Sequence, residues 1–485
     1  MRTPSIKPLA LVLALLAGSP ALAQAPLPAA PRSDLVGVYQ EALRNNADLA
    51  AARAEYEAIA QGVPQARAGL LPQLNGGAEL SDSETELNEP SASLQRSGTV
   101  WQVSLSQALL RADRWFQLRA ARAVDRQAAL QLAAAEQNIL LQSAELYFAV
   151  LRAQDFLAAS KAEEAALRRQ LDEAQERFDV GLSNLTELLE AQASHDIAYA
   201  NRQLAERQVA DAFQALEAFT HRRYPHIDGL RHGIPNVAPA PVDPTAWVDT
   251  ALATNLQLKA AAEGVTSAEE TLRQRRAGHS PTVDLVAQYQ RGDNDALGYV
   301  NSPLTASIAA IPAYRGPVER SSIGLQLNIP LYSGGLTGAQ VRESYHRLDQ
   351  SERQREALRR QVIQQTRDYH RAVLTDVEQV QARRQAVVSS QSALEATTVG
   401  YEIGSRNIVD VLDAQRQLYS AVRTYNDARY DYLLDHLRLK QVAGVLSPAD
   451  LDDLAGFLKP DYDPDRDFLP ADVKDSARLG LDELR

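Results

Sequence analysis

Tyr401-Glu402-Ile403-Gly404-Ser405-Arg406-Asn407-Ile408-Val409-Asp410-Val411-Leu412-Asp413-Ala414 reads as the end of one helix, a tight turn and the start of another. Gly404 supplies the left-handed position that commonly closes a helix. Ile408, Val411, Leu412, Gln415, Leu418, Tyr419, Val422 and Tyr425 then hold one narrow stripe at helical spacing. The same turn stands earlier in the chain, at an offset of 223, as Phe178-Asp179-Val180-Gly181, followed by Leu182-Ser183. A helix–glycine–helix tip written twice points to a duplicated unit.

The duplication extends outward from the tips. Ala42 to Leu49 aligns with Ala251 to Leu258 at an offset of 209, and Arg67-Ala68-Gly69 with Pro72 meets Arg276-Ala277-Gly278 with Pro281. Val103 to Gln107 meets Leu325 to Ile329 at an offset of 222. The offset therefore grows by 13 at one place, and an insertion falls between the two strand-like segments of the second half. Residues 24–220 form the first repeat, 221–244 a Pro-rich joint, 245–445 the second repeat and 446–485 a Pro/Asp-rich end.

Each half has one order of elements. An opening helix carries Leu35, Val38, Tyr39, Ala42, Leu43, Asn46, Leu49 and Ala50, and is expected to run to about Gly69, before Leu71-Pro72. The period then falls to two. Strands are expected at about 73–82, 99–108, 282–291 and 321–332, each apolar on one face, with long loops near 82–98 and 291–321. From Asp113 to Arg177 there is neither proline nor glycine. At 1.5 Å per residue that is a helix on the order of 95 Å long. A second such run covers Ala339 to Val399, so hairpins are expected at about 113–220 and 336–445. Helices this long are foreign to compact domains and suit antiparallel coiled-coil hairpins.

Composition narrows the function. The 485 residues carry 50 Lys+Arg and 62 Asp+Glu, a formal charge of −12, which argues against nucleic acid as a partner. There is no cysteine, hence no disulfide, thiolate metal site or cysteine-linked lipid anchor. Arg2, Lys7, the apolar run Leu9 to Leu16 and Ala21-Leu22-Ala23 read as a signal peptide over 1–23, too short to span a bilayer. The chain is therefore expected in the periplasm or beyond. Four strands leave two open edges, which hydrocarbon does not tolerate, and transmembrane barrels need about eight strands or more. If these strands enter a membrane, the barrel is shared between copies. The alternation alone equally fits a soluble sheet packed on a helix, as in a periplasmic coiled-coil scaffold.

The chain resembles the outer-membrane efflux protein family. The carrying segments are Asp34-Leu35-Val36-Gly37-Val38-Tyr39, Gly69-Leu70-Leu71-Pro72-Gln73-Leu74, Arg177 to Leu182, Tyr401 to Ala414 and Ala428-Arg429-Tyr430-Asp431-Tyr432-Leu433. The resemblance spans about residues 34–458. It implies a mainly α fold with a small β part, a homotrimer closing one twelve-stranded transmembrane barrel, and a helical barrel continuing it into the periplasm. It implies a passive exit duct for an efflux pump or type I secretion, serving a periplasmic adaptor and an inner-membrane transporter of the RND or ABC type. Residues Gly181, Leu182, Ser183, Gly404 and Ser405 fall on the tips that such an adaptor would meet. The family's entrance aspartates fall on Asp410 and Asp413, one helical turn apart. Three copies would stack two acidic rings that favour cations. The family's gate links fall on Tyr401 and Arg406, with partners on Thr186 and Glu187. Leu109-Leu110-Arg111-Ala112-Asp113 departs from the second half's Leu331-Tyr332-Ser333-Gly334-Gly335 at the strand-to-helix turn. A family member dedicated to metal export is a further alternative, but no His/Met-rich tract supports it.

Other constellations are weaker. His221, His226 and His232 with Asp228 lie in the joint and read as surface loop rather than metal site. Asp461, Asp463, Asp465 and Asp467 lack the glycine and closing glutamate of a calcium loop and read as a disordered acidic tail. No phosphate loop, nucleophile elbow or metalloprotease helix occurs, so no cofactor, metal or enzymatic activity is expected.

Overall fold

The computed structural model describes residues 34–88, 91–293 and 317–470. The expected signal peptide, most of the expected second loop and the last fifteen residues lie outside them.

The first repeat opens with α1 (Leu35–Asn45), α2 (Ala47–Ala60) and α3 (Gly62–Ala68), where the periodicity predicts one helix. Asn46 makes the first break. Its backbone leaves the helical region, its Oδ1 accepts from Leu49 N at 3.0 Å, and its Nδ2 donates to Phe219 O at 3.2 Å. The second repeat breaks identically between α6 (Pro244–Thr254) and α7 (Leu256–Ala277), where Asn255 accepts from Leu258 N at 2.9 Å and donates to Val442 O at 2.8 Å. An N-cap that also reaches a distant carbonyl outweighs helix continuity.

After α3 come β1 (Gln73–Asn88) and β2 (Ser91–Leu110), then the long helix α4 (Ala112–Asp179) and its return α5 (Leu185–Thr220). The second repeat follows with β4 (Thr282–Asp293), β5 (Pro317–Asn328), α8 (Leu336–Glu402) and α9 (Ile408–Val442). At 68 and 67 residues, α4 and α8 are each about 100 Å long.

The four strands form one antiparallel sheet in the order β1-β2-β4-β5. Register aligns their alternation. Leu74, Ala78 and Leu80 stand opposite Leu105, Trp101 and Thr99; Val103 and Leu105 stand opposite Tyr289 and Ala287; Ala287, Leu285 and Val283 stand opposite Ile323, Leu325 and Leu327. Directly opposed residues share a face, so one face is apolar across all four strands and the other carries Asn75, Gln102, Ser104, Gln288 and Gln326. The apolar face lies open: Leu80 is 82% exposed, Ile323 77% and Leu325 69%. A soluble sheet on a helix would have this face covered.

Two strand bounds differ from expectation. The first hairpin runs in register to Asn88 and Ser91, so the long loop expected near 82–98 is strand instead. Ser81, Asp82, Glu84 and Glu86 are polar on both faces, which hides the strand from an alternation test. β5 ends at Asn328, not near 332, because Pro330 has no N–H to give a ladder.

The main core lies where the opening helices, the joint and the C-terminal segment wrap the hairpins. Tyr147, Phe148, Tyr425 and Tyr430 are at most 2% exposed there. The aspartate-rich end is not disordered through Pro470. After α10 (Pro448–Ala455), β6 (Leu458–Lys459) pairs with β3 (Gly229–Leu230), and α11 (Pro464–Asp467) docks beside α4. Lys161 binds Asp465 at 2.9 Å and Lys459 binds Asp467 at 2.8 Å, which offsets the acidic repulsion. Tyr462 donates to buried Asp155, and its ring fills the space a Cβ on Gly229 would occupy. His232 of the joint is likewise engaged, with Nε2 2.7 Å from Asp467 O.

Candidate gate at the hairpin tips

Both tips are built the same way. Val180 and Ile403 cap the long helices, and Gly181 and Gly404 follow at φ 77°. Leu182 N donates to Arg177 O at 2.8 Å and Gly181 N to Phe178 O at 2.9 Å; Ser405 N donates to Gly400 O and Gly404 N to Tyr401 O at 2.8 and 3.0 Å. This paired closure satisfies carbonyls that the helix end leaves open, and only glycine takes the left-handed position without strain. Asn184 and Asn407 then cap α5 and α9, accepting from Glu187 N at 3.0 Å and Asp410 N at 2.9 Å.

The predicted gate residues sit around these turns. Asp410 closes a capping box by accepting from Asn407 N at 3.3 Å, and Arg406 approaches it to 3.9 Å. Asp413 pairs with Arg416. Both carboxylates are partly exposed. At 100° per residue they lie roughly 130–170° around α9 from the mean direction of Ile408, Leu412 and Gln415, which are buried. The acidic face therefore points away from the helix packing. Each aspartate keeps an arginine within reach, so the local field is smaller than two bare carboxylates would give.

Tyr401 is 7% exposed and lies under the Arg177 guanidinium, 4.9 Å from its ring centroid. Burial raises the phenol pKa; Arg177 opposes this, while Glu173 and Glu187 add to it. Tyr401 joins a small apolar cluster with Leu167 and Ala198 of the first hairpin and Ile408, Val411 and Leu412 of the second, separate from the main core. Glu187 binds Ser183 Oγ at 2.6 Å and Asn184 Nδ2 at 3.2 Å, within its own hairpin. Thr186 is exposed. Arg406 lies largely in solvent, and its stem occupies the space a Cβ on Gly400 would take.

Sequence reasoning missed two features. Arg177 of the first hairpin stacks on Tyr401 of the second beside the tips, and nothing in its spacing marks it apart from other helix arginines. Glu187 and Glu190 precede Asp410 and Asp413 at the tip offset of 223, so both return helices open on an acidic pair. The repeat offset was sufficient to find the second feature. Among the described residues no cluster of His, Cys, Asp and Glu has the geometry of a metal site, and no helix is long and apolar enough to cross a membrane.

A sheet with one bare apolar face, continued by two helical hairpins of membrane-to-periplasm length, defines a class: outer-membrane channels with a helical extension. Comparison with known proteins agrees. The chain belongs to the outer membrane efflux protein family, whose model matches residues 38–220 and 247–445. It is 33% identical over 426 residues to the outer membrane protein TolC of Vibrio cholerae, covering 88% of this chain and 94% of that one. It is 30% identical over 428 residues to the alkaline protease secretion protein AprF of Pseudomonas aeruginosa, covering 86% of each. Among solved structures, the Campylobacter jejuni CmeC outer membrane channel superposes with a TM-score of 0.71 at 18% identity, covering 92% of this chain and 89% of that one. The protein is an outer-membrane exit duct with its helical part in the periplasm.

Proposed function

We propose that three copies close one twelve-stranded barrel in the outer membrane and continue it as a helical tunnel through the periplasm. The observation that carries this is the continuous apolar face of the β1-β2-β4-β5 sheet, uncovered and bounded by two open edges. Lipid would cover the face, and further copies would pair the edges. The polar face, with Gln102, Ser104, Gln288 and Gln326, would line the lumen.

The duct is passive and has no catalytic role. It serves a tripartite efflux pump, type I protein secretion, or both, in line with relatives named for efflux and for protease secretion. The tips at Gly181, Leu182, Ser183, Gly404 and Ser405 are the docking surface for a periplasmic adaptor, and an inner-membrane transporter of the RND or ABC type supplies the energy. Asp410 and Asp413 form acidic rings at the entrance. Tyr401 and Arg406 of the second hairpin, with Thr186 and Glu187 of the first, restrain the closed state, and untwisting of the hairpins opens it.

Fractionation tests this reading. The full chain should be recovered from outer membranes only with detergent, as a multimer. Quantitative recovery as a soluble monomer after lysis would reject the duct in favour of a periplasmic scaffold.

A further inference from the structure

β1 and β5 leave the sheet as open edges, and the internal repeat specifies how they meet. Within one chain the two repeats join where β2 pairs with β4. In a closed ring of copies, β5 of one chain and β1 of the next form the equivalent junction. The two offsets read from sequence, 209 for β1 onto β4 and 222 for β2 onto β5, carry one junction onto the other. The helices that lead into β1 and β4 end at Ala68 and Ala277, 209 apart, and the hairpins check the sum of the two offsets. Leu74 opposes Leu105, and the same offsets give Val283 opposite Leu327, which is the observed pair.

Applied to the observed pairs Val103–Tyr289, Leu105–Ala287 and Ser104–Gln288, the offsets fix a register. We infer that in the assembled barrel Leu325 of one copy stands directly opposite Leu80 of the next, with Leu327 opposite Ala78 and Gln326 opposite Glu79. This rests on the shared-barrel reading above but does not depend on the number of copies.

Three independent features agree. The register keeps Leu325, Leu80, Leu327 and Ala78 on the apolar face and Gln326 and Glu79 on the polar face, as the pleat demands; a slip of one residue would reverse them. At the inner junction Thr99 N and Oγ1 bind Asp293 at 2.9 and 3.2 Å. The seam places Ser321 against Glu84, again a hydroxyl against a carboxylate. At the other end, the inner ladder shifts register between Ala108 and Leu110. The position equivalent to Ala108 is Pro330, which could not have continued a ladder.

The helices give the same picture. Leu412 and Val422 of α9 are 2% and 0% exposed, and α9 packs on α4 across the repeat boundary. Their equivalents on α5 at the tip offset of 223, Leu189 and Tyr199, are 53% and 48% exposed. The face that α4 covers within the chain is left for α8 of the adjacent copy to cover on α5.

Because the chain has no cysteine, introduced pairs report without background. Leu80→Cys with Leu325→Cys, on the lipid face, and Glu79→Cys with Gln326→Cys, on the lumen face, are each made in the full chain and oxidised in outer membranes. Directly opposed strand residues lie within disulfide reach, whereas a two-residue slip displaces them by about 6.6 Å along the strand. At least one of the two pairs should convert most of the protein to reducible multimers, while Leu80→Cys with Ile323→Cys or with Leu327→Cys should give several-fold less. Preferential cross-linking of a slipped pair would overturn the register and leave the shared barrel standing. Absence of multimers from every β1–β5 pair, in variants that still reach the membrane, would overturn the shared barrel as well.

Discussion

The equator and the tips of this chain are held by different means. At the equator, Tyr147, Phe148, Tyr425 and Tyr430 are buried with the opening helices and the C-terminal segment wrapped over them. Asp155 there receives both Tyr430 and Tyr462, and Arg429 donates to the carbonyls of Leu230 and Arg231. At the tips, six buried residues and one stacked arginine join the two hairpins. An element with few buried contacts opens at lower free energy than a deep core. The proposed duct, assembled from several copies and opened at its entrance, would need this inequality.

The largest test of the comparison truncates one side chain in each region. Phe148→Ala removes a ring that packs on Tyr147 and Tyr430. It should cost about 3–5 kcal/mol and lower the melting temperature of the whole protein. Leu412→Ala at the tip should leave the main calorimetric transition nearly in place, because the tip cluster opens on its own. A common fall in both variants would show that the chain unfolds as one unit.

A smaller effect distinguishes the equator by pH. Burial pushes the Asp155 carboxyl up to about 6, against the hydrogen bonds from Tyr462 and Tyr430 and the charge of Arg429, with Asp427 adding a small upward push. A carboxyl that binds its proton more tightly when folded gives stability at low pH that is lost as pH rises. The window runs from the ordinary carboxylate value near 4 to about 6, with a slope of up to ~1.4 kcal/mol per pH unit. Asp155→Asn cannot titrate, so its melting temperature should change less with pH across that window than that of wild type. Asp376, also raised to about 6 chiefly by burial, stays in both proteins as a shared background. Parallel pH profiles would remove Asp155 from the account.

At the tips, Arg177→Ala removes a cation over an aromatic face, an interaction of about 0.5–2 kcal/mol. Single-channel conductance should rise, and Arg177→Lys should restore part of the closure. Equal conductance in all three proteins would show that the stacking is incidental. The smallest expected change is in Asp410→Ala with Asp413→Ala. Block by multivalent cations in planar bilayers should weaken without vanishing, since Arg406 and Arg416 already moderate the two carboxylates and Glu187 and Glu190 remain. Unchanged block would place the blocking site elsewhere.

Much of this architecture is legible in sequence because it is periodic. The glycine turns, the long helices and the four alternating strands each repeat a local rule, and the duplication states each rule twice. What escaped was non-local. Asn46 and Asn255 break the opening helices because they can also reach Phe219 and Val442, contacts no helical pattern encodes. The outer half of the first hairpin is polar on both faces and shows no alternation. The aspartates of the C-terminal segment look solvated until Lys161, Lys459 and the hole over Gly229 are brought to them. At the proposed gate, the family resemblance nominated Tyr401, Arg406, Asp410 and Asp413, while the stacking of Arg177 on Tyr401 emerged only from packing.

In the proposed membrane duct, the hairpin tips close the entrance. Planar-bilayer recording of the purified full chain beside Arg406→Ser tests this most directly. Discrete channels of low conductance are expected for wild type, and a clearly larger conductance for the variant. No channels at all, or identical conductance in the two proteins, would contradict the proposed duct.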